Sequence, residues 1–163
     1  MVSDPNMPPH TEFAAVVRDY AEFWNEPTLR LVDVLQIAGL KRTLFLSWKK
    51  RGFFKVRGEK SDGRALYSPR DVLELTIMVE GARSGLPART VWNAINSRID
   101  AVILDRVRYI ALSADKCVPY ESSDVVDWFP DSAVVSLIKV AEIRDAVWRR
   151  VMEHLGKLPA GLA

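Results

Sequence analysis

The sequence predicts a mainly α chain with a small β component, and three observations carry that expectation. Apolar residues recur at spacings of three and four through much of the 163 residues, as helices with one buried face require. Two such stretches, before residue 52, are separated by a glycine turn. Behind them, Phe54-Lys-Val-Arg and Arg64-Ala-Leu-Tyr flank Gly58-Glu-Lys-Ser-Asp-Gly63, whose Asp-Gly is a strong hairpin signal. Helix, turn, helix and hairpin in that order make a winged helix-turn-helix domain. A less legible strand and helix pattern beyond residue 97 adds a short β/α C-terminal region. The chain therefore divides into residues 1–28, a mobile arm plus an N-terminal helix; residues 29–97, the winged domain; and residues 98–163, a strand/helix region for dimerisation or regulation.

Each element follows from local chemistry. Residues 1–10 hold three prolines and little to bury, which predicts a mobile arm. Thr11 caps a helix to about Trp24, with Phe13, Val16, Val17, Tyr20 and Trp24 on one face. That face docks on its own protomer in the simpler reading, or forms a dimer contact. Asn25-Glu-Pro-Thr breaks the helix. Asp33 caps a short helix with Leu35 and Ala38 inward, Gly39 ends it in a positive-φ turn, and Leu40 plugs that turn. A second helix, about Arg42 to Arg51, turns Leu44, Phe45 and Trp48 to the core and leaves Lys41, Arg42, Ser47, Lys49 and Lys50 on or near the other side. Gly52 ends it.

Ser68-Pro69 starts the next helix, serine capping and proline first, with a core stripe of Val72, Leu75, Val79 and Ala82. Gly85-Leu-Pro87 separates it from a helix that buries Ala88, Val91 and Ile95, with Trp92 beside them. Arg98 to Arg106 continues that helix. Tyr109-Ile-Ala-Leu-Ser reads as a strand and Ala133-Val-Val-Ser-Leu-Ile-Lys-Val as a second, more buried one. Between them runs an irregular acidic segment, Asp115 to Asp131, with Pro119, Pro130 and the Trp128-Phe129 pair. A final helix, about Ala141 to Leu155, buries Ile143, Val147, Val151 and Leu155.

The net charge of +2 conceals an asymmetry. From Lys41 to Arg70 there are ten cations against two acids, a net of +8; the rest of the chain carries 13 cations and 19 acids, a net of −6. A solvated helix face usually mixes both signs. A basic module in an acidic chain is the footprint of a polyanionic partner. Enzymatic function finds little support: His10 and His154 stand near opposite termini, and no phosphate loop, nucleophile elbow or His-x-x-x-His pair is present. The single Cys117 forms no intramolecular disulfide and no zinc-spaced cluster exists, which points to a reducing, cytoplasmic setting without a metal or other cofactor. No apolar run reaches membrane-span length, and the N-terminus lacks a signal pattern.

Residues 32 to about 95 resemble the DNA-binding domain of MerR-type transcription regulators. The opening apolar-Leu-Ala-Gly-apolar pattern is met by Val32, Leu35 and Ala38-Gly39-Leu40. Trp48 takes the second aromatic position of the recognition helix, and Gly52-Phe53-Phe54 closes it. The end of the wing is Gly63-Arg-Ala-Leu-Tyr67-Ser-Pro-Arg-Asp71-Val72, and Ser84-Gly-Leu-Pro matches the break between the third and fourth helices. Departures are specific: Leu46 stands where the family often has arginine, Ser47 replaces the first tyrosine, and Ala65 replaces the wing arginine. The C-terminal part is unlike the long coiled-coil helix of metal- or drug-sensing members, and one cysteine argues against thiolate metal sensing.

The resemblance implies a second helix in the major groove and a wing along the backbone or minor groove of double-stranded DNA. Arg42, Lys49, Lys50, Arg57, Lys60 and Arg64 are then expected on phosphates. Lys41, Arg42, Thr43 and Ser47 are the candidates for base edges. Tyr67 either offers its hydroxyl to a phosphate, as the resemblance implies, or is a core residue at the base of the wing. Palindromic binding implies a homodimer, with the C-terminal region as the preferred interface unless it folds back on its own protomer; the Trp128-Phe129 pair pins a loop in the simpler reading, or marks a surface for a protein or small-molecule effector. Two alternatives stay open: a phage or mobile-element factor of excisionase or packaging type, and a winged protein-interaction module that has lost DNA binding.

Overall fold

One helix, α4 (Pro69–Arg83), is the element on which the others pack. In the computed structural model, which describes residues 20–54, 60–61, 64–112, 117–120 and 136–157, it is buried on almost every side from Pro69 to Val79. The expected stripe of Val72, Leu75 and Val79 is buried, but so are Leu73, Ile77 and Met78 on its other faces. Ala82, expected in the stripe, is exposed. The start of α4 is as its local sequence requires. Asp71 Oδ2 accepts from the Ser68 backbone N–H at 2.8 Å, Ser68 Oγ accepts from the Asp71 N–H at 3.3 Å, and Pro69 occupies the first position.

Around α4 stand α1 (residues 20–25), α2 (Leu31–Ala38), α3 (Arg42–Lys50), α5 (Ala88–Asn96), α6 (Ile99–Ile103) and α7 (Val140–His154). A two-stranded antiparallel ladder, β1 (Lys60–Ser61) with β2 (Arg64–Ala65), comes after α3. A three-stranded antiparallel sheet, ordered β4-β3-β5, is built from β3 (Tyr109–Leu112), β4 (Cys117–Tyr120) and β5 (Ser136–Ile138). The architecture is mainly α with a small β component, as expected.

The residues of the first helix before Tyr20, with Thr11, Phe13, Val16 and Val17, lie outside the described residues. Trp24 is wholly buried, in edge-to-face contact with Tyr20 and Phe23. In α2, Asp33 is not the cap residue. Arg30 is, and the Asp33 carboxylate reaches back to its N–H at 3.0 Å, an acid in the first turn doing what the N-cap side chain cannot. Val34, Ile37 and Ala38 are buried and Leu35 half-buried. Gly39 takes φ 64° and sends the chain into α3, with Leu40 buried beneath the turn.

Two corrections concern the chain beyond α4. Helix α5 does not run on through Arg106: the chain turns at Ser97-Arg98 and restarts as α6. The acidic segment is not irregular throughout, since it contains β4, in which Pro119 pairs with Ile110. A proline is tolerated there because β4 is an edge strand, where an amide is not needed on the outer side. The burial order of the other strands is also reversed. Ile110, Ala111 and Leu112 of central β3 are buried, whereas Leu137 of edge strand β5 is 45% exposed. Residues 121–135, including Trp128-Phe129, lie outside the described residues.

Helix α7 packs on α4, α2, α6 and β3 of the same chain. Its buried side is Val140, Ala141, Arg144, Val147 and Val151, with Ile143 and Leu155 half-buried. Arg150 Nη1 donates to the Ile37 carbonyl at 3.2 Å, and His154 Nε2 stands 3.5 Å from Asp33, tying the end of α7 to α2. One continuous apolar core runs from Trp24 to Val151. Where α4 crosses α5, a side chain at Gly81 would put its Cβ 2.5 Å from Val91 Cγ2; the missing side chain allows the close approach.

Candidate nucleic-acid interface

Helix α3 owes its orientation to two buried aromatics. Phe45 (1% exposed) and Trp48 (4%) anchor its inner side. Phe45 meets Phe54 and Tyr67 at ring-centroid distances of 5.7 and 6.1 Å, and Phe54 stacks on Tyr67 at 6.5 Å. Leu44, expected in that anchor, is instead 41% exposed. With a rotation of about 100° per residue, Phe45 and Trp48 facing inward place Thr43, Leu46, Ser47 and Lys50 along the outer crest. Arg42 and Lys49 flank it. All of these are exposed except Ser47, which is half-buried.

The helix is electrostatically lopsided. Its N-cap is Lys41, whose side chain caps nothing, and its first turn holds no acid. Free N–H groups and the positive end of the helix dipole therefore lie beside Lys41 and Arg42, which suits an anion better than it suits the isolated helix. At the other end Lys49 and Lys50 sit favourably near the last carbonyls. The helix closes as the sequence requires, with Gly52 at φ 72°, its N–H donating to the Lys49 carbonyl and that of Phe53 to Trp48.

Behind α3 the ladder pairs Lys60 with Ala65 and Ser61 with Arg64, so β2 lies in the expected second arm while β1 falls inside the six residues expected to form the hairpin loop. Residues 55–59, with Arg57, lie outside the described residues, as do Asp62, Gly63 and the side chain of Lys60. Arg64 is exposed. Tyr67 is 2% exposed, its ring in the aromatic cluster; its backbone bridges to Leu29, fastening the ladder to the segment before α2. Burial and the nearby charge of Asp71 push its hydroxyl pKa up.

Sequence reasoning alone does not find Arg30. A groove of about 970 Å³ opens between the start of α2, the start of α3 and β2, and Arg30, Arg42 and Arg64 all line it with Tyr67 at its base. No acid lines it. The tertiary fold alone brings Arg30 there, since it precedes the cationic stretch and looks in sequence like a lone surface arginine. Conversely, Arg70 leaves the patch: it forks onto Asp100 and lies 3.6 Å from Glu74.

Among the described residues, Lys41, Arg42, Lys49, Lys50, Arg51, Arg64 and Arg30 form no ion pair. Elsewhere Arg70, Arg83, Arg108, Lys139 and Arg144 each face a carboxylate, whereas Arg89, Arg106, Arg149 and Lys157 stand singly without one among the described residues. A second cavity, about 340 Å³ between α4, β5 and α7, is lined by charges already engaged, Lys139 with Glu142 at 3.0 Å and Glu80 with Arg83 at 2.6 Å. No group of three or more His, Cys, Asp and Glu among the described residues is placed to hold a metal ion. No helix among them is long and apolar enough to cross a membrane. Comparison with protein-family models and with curated protein sequences finds no match to this chain.

Proposed function

We propose that the chain is a sequence-specific double-stranded DNA-binding protein, a transcription regulator working in the cytoplasm as a homodimer. The observation that carries this reading is the row of exposed cations on α3 and β2, clustered and without acid partners among the described residues, in a chain whose remaining regions are net acidic. Cations without acid partners repel one another, a cost that phosphate neutralisation and counterion release reverse.

In this reading α3 enters the major groove, with Thr43, Ser47 and Lys41 at base edges. Arg42, Lys49, Lys50 and the ladder residues Lys60 and Arg64 hold phosphates, and Arg30 adds a backbone contact from the groove beside them. Arg57 belongs to the same stretch by sequence. Tyr67 supports the wing from within the core, and its buried ring stiffens the junction. Two α3 helices of a dimer would need to lie about 34–36 Å apart to read a palindrome.

The test is a binding isotherm on the full chain with its own upstream DNA and an unrelated duplex, over a salt series, beside an Arg30→Ala/Arg42→Ala variant. The expected result is tighter binding to the upstream DNA and a log–log salt slope lower by roughly 1.8 in the variant, about 0.9 for each phosphate no longer neutralised. No binding to any duplex at low salt overturns the reading and leaves a protein-interaction module.

A further inference from the structure

The crest of α3 holds one residue that a phosphate-binding surface does not need. Leu46 is 49% exposed between Thr43, Ser47 and Lys50. It is not among the half-buried apolar side chains packed on the core, as Leu31, Leu35 and Phe53 are. Its exposed half adds nothing to the packing of the core. It cannot donate or accept a hydrogen bond, so it contributes nothing to a phosphate either. In the major groove the one apolar group presented by any base pair is the C5 methyl of thymine.

Resting on the reading that α3 enters the major groove, we propose that Leu46 is a specificity-determining residue that packs on a thymine methyl. The preferred site then carries a T·A pair opposite the middle of the helix. The flanking geometry fits this role. Thr43 lies one turn before Leu46 on the same crest and Lys50 one turn after it, so hydrogen-bonding side chains border the apolar contact on both sides. A cytosine at that position would offer an amino group and no methyl, leaving Leu46 against a polar edge it cannot satisfy.

The experiment starts by selecting tight-binding duplexes from a random library with the full chain. Each thymine of a selected duplex is then replaced in turn by deoxyuridine, which removes the methyl and leaves every hydrogen-bonding group. Affinities are measured for the native chain and for Leu46→Ala. The expected result is one position at which deoxyuridine weakens native binding about fourfold and leaves Leu46→Ala unchanged. At a cytosine placed there, 5-methylation should restore part of the affinity for the native chain alone. Selected duplexes whose binding no deoxyuridine alters, or alters equally in Leu46→Ala, overturn the inference while the DNA-binding reading stands. A selection that enriches nothing, with no binding at low salt, overturns both. Circular dichroism and thermal melting of Leu46→Ala, unchanged because the side chain is outside the core, separate a weakened DNA interface from a damaged fold.

Discussion

Two sets of cations in this chain face opposite fates. On α3 and β2, Lys41, Arg42, Lys49, Lys50 and Arg64 stand in solvent without acid partners among the described residues. In the C-terminal part, Arg144 is 7% exposed and fully engaged: Nη1 donates to Asp105 at 2.8 Å and to the Val102 carbonyl at 3.2 Å, and Nη2 lies 2.7 Å from Asp145. Burial alone would disfavour its charge, but the hydrogen bonds to Asp145 and Asp105 outweigh this and lift its pKa. Arg150, likewise, donates to the end of α2. Cation count therefore says little about function. What sets the α3 and β2 cations apart is that several lie side by side without an acid among the described residues.

That contrast fails if removing interior cations costs nothing. Arg144→Ala is expected to lower stability by about 1–3 kcal/mol, because the α6–α7 junction gives up its hydrogen bonds to Val102, Asp105 and Asp145 and the packing of the arginine stem. Urea unfolding measures it; a midpoint equal to the native one would remove the structural role. Asp105 and Asp145 are more than half exposed, which keeps the loss below that of a sealed buried pair.

Packing where α5 lies against α4 tests the interior side of the comparison more finely. Gly81→Ala brings a Cβ within 2.5 Å of Cγ2 of Val91, whose side chain is fully buried and, being β-branched, stiff about χ1. Overpacking then exceeds the helix-propensity gain of alanine, and a net loss of about 1 kcal/mol is expected. A Gly81→Ala/Val91→Ala double variant should lose less than the two single variants together, as measured by a thermodynamic cycle.

The pH dependence of Tyr67 sits between the two regions. Its folded pKa is raised by burial and then by the Asp71 charge, so its contribution is whole below the unfolded tyrosine pKa of about 10 and falls as pH rises beyond it. The unfolded chain ionises first and is favoured. Tyr67→Phe keeps the ring and should flatten this alkaline decline. Urea melts of both proteins from about pH 8 to about pH 11 would show parallel curves if the hydroxyl were not sheltered.

The smallest stability effect belongs to the surface set. Lys49→Ala/Lys50→Ala should move the unfolding midpoint least, since neither side chain makes a hydrogen bond or ion pair among the described residues and the lost charge at the helix C-terminus, about 0.3–1 kcal/mol, is partly offset by the helix propensity of alanine. A larger drop in the midpoint would mean that these cations hold the fold, as Arg144 does.

Much of the fold is legible in the sequence because its determinants are local. The Ser68-Pro69 start of α4, the Gly39 and Gly52 stops, the Gly85-Leu-Pro87 break and the inward Phe45 and Trp48 each depend on residues within a turn or two. The features that sequence misplaces share the opposite property. Asp33 reads as a cap because the true cap residue, Arg30, carries no acceptor. Leu44 reads as inward because an apolar residue at helical spacing usually is, yet it stands 41% exposed. Strand β4 is invisible in sequence because Pro119 is tolerated only by virtue of an edge position, which is a property of the sheet.

The same division runs through the candidate site. Local sequence suffices to set a helix with aromatic anchors and exposed cations before a basic hairpin. Which cations remain uncompensated depends on the assembled fold, which pairs Arg70 with Asp100, buries Arg144, and carries Arg30 beside Arg42 and Arg64. The physical reason is range. Helix periodicity and capping act over a few bonds, whereas neutralisation, burial and convergence on a groove depend on which distant segments the core brings together.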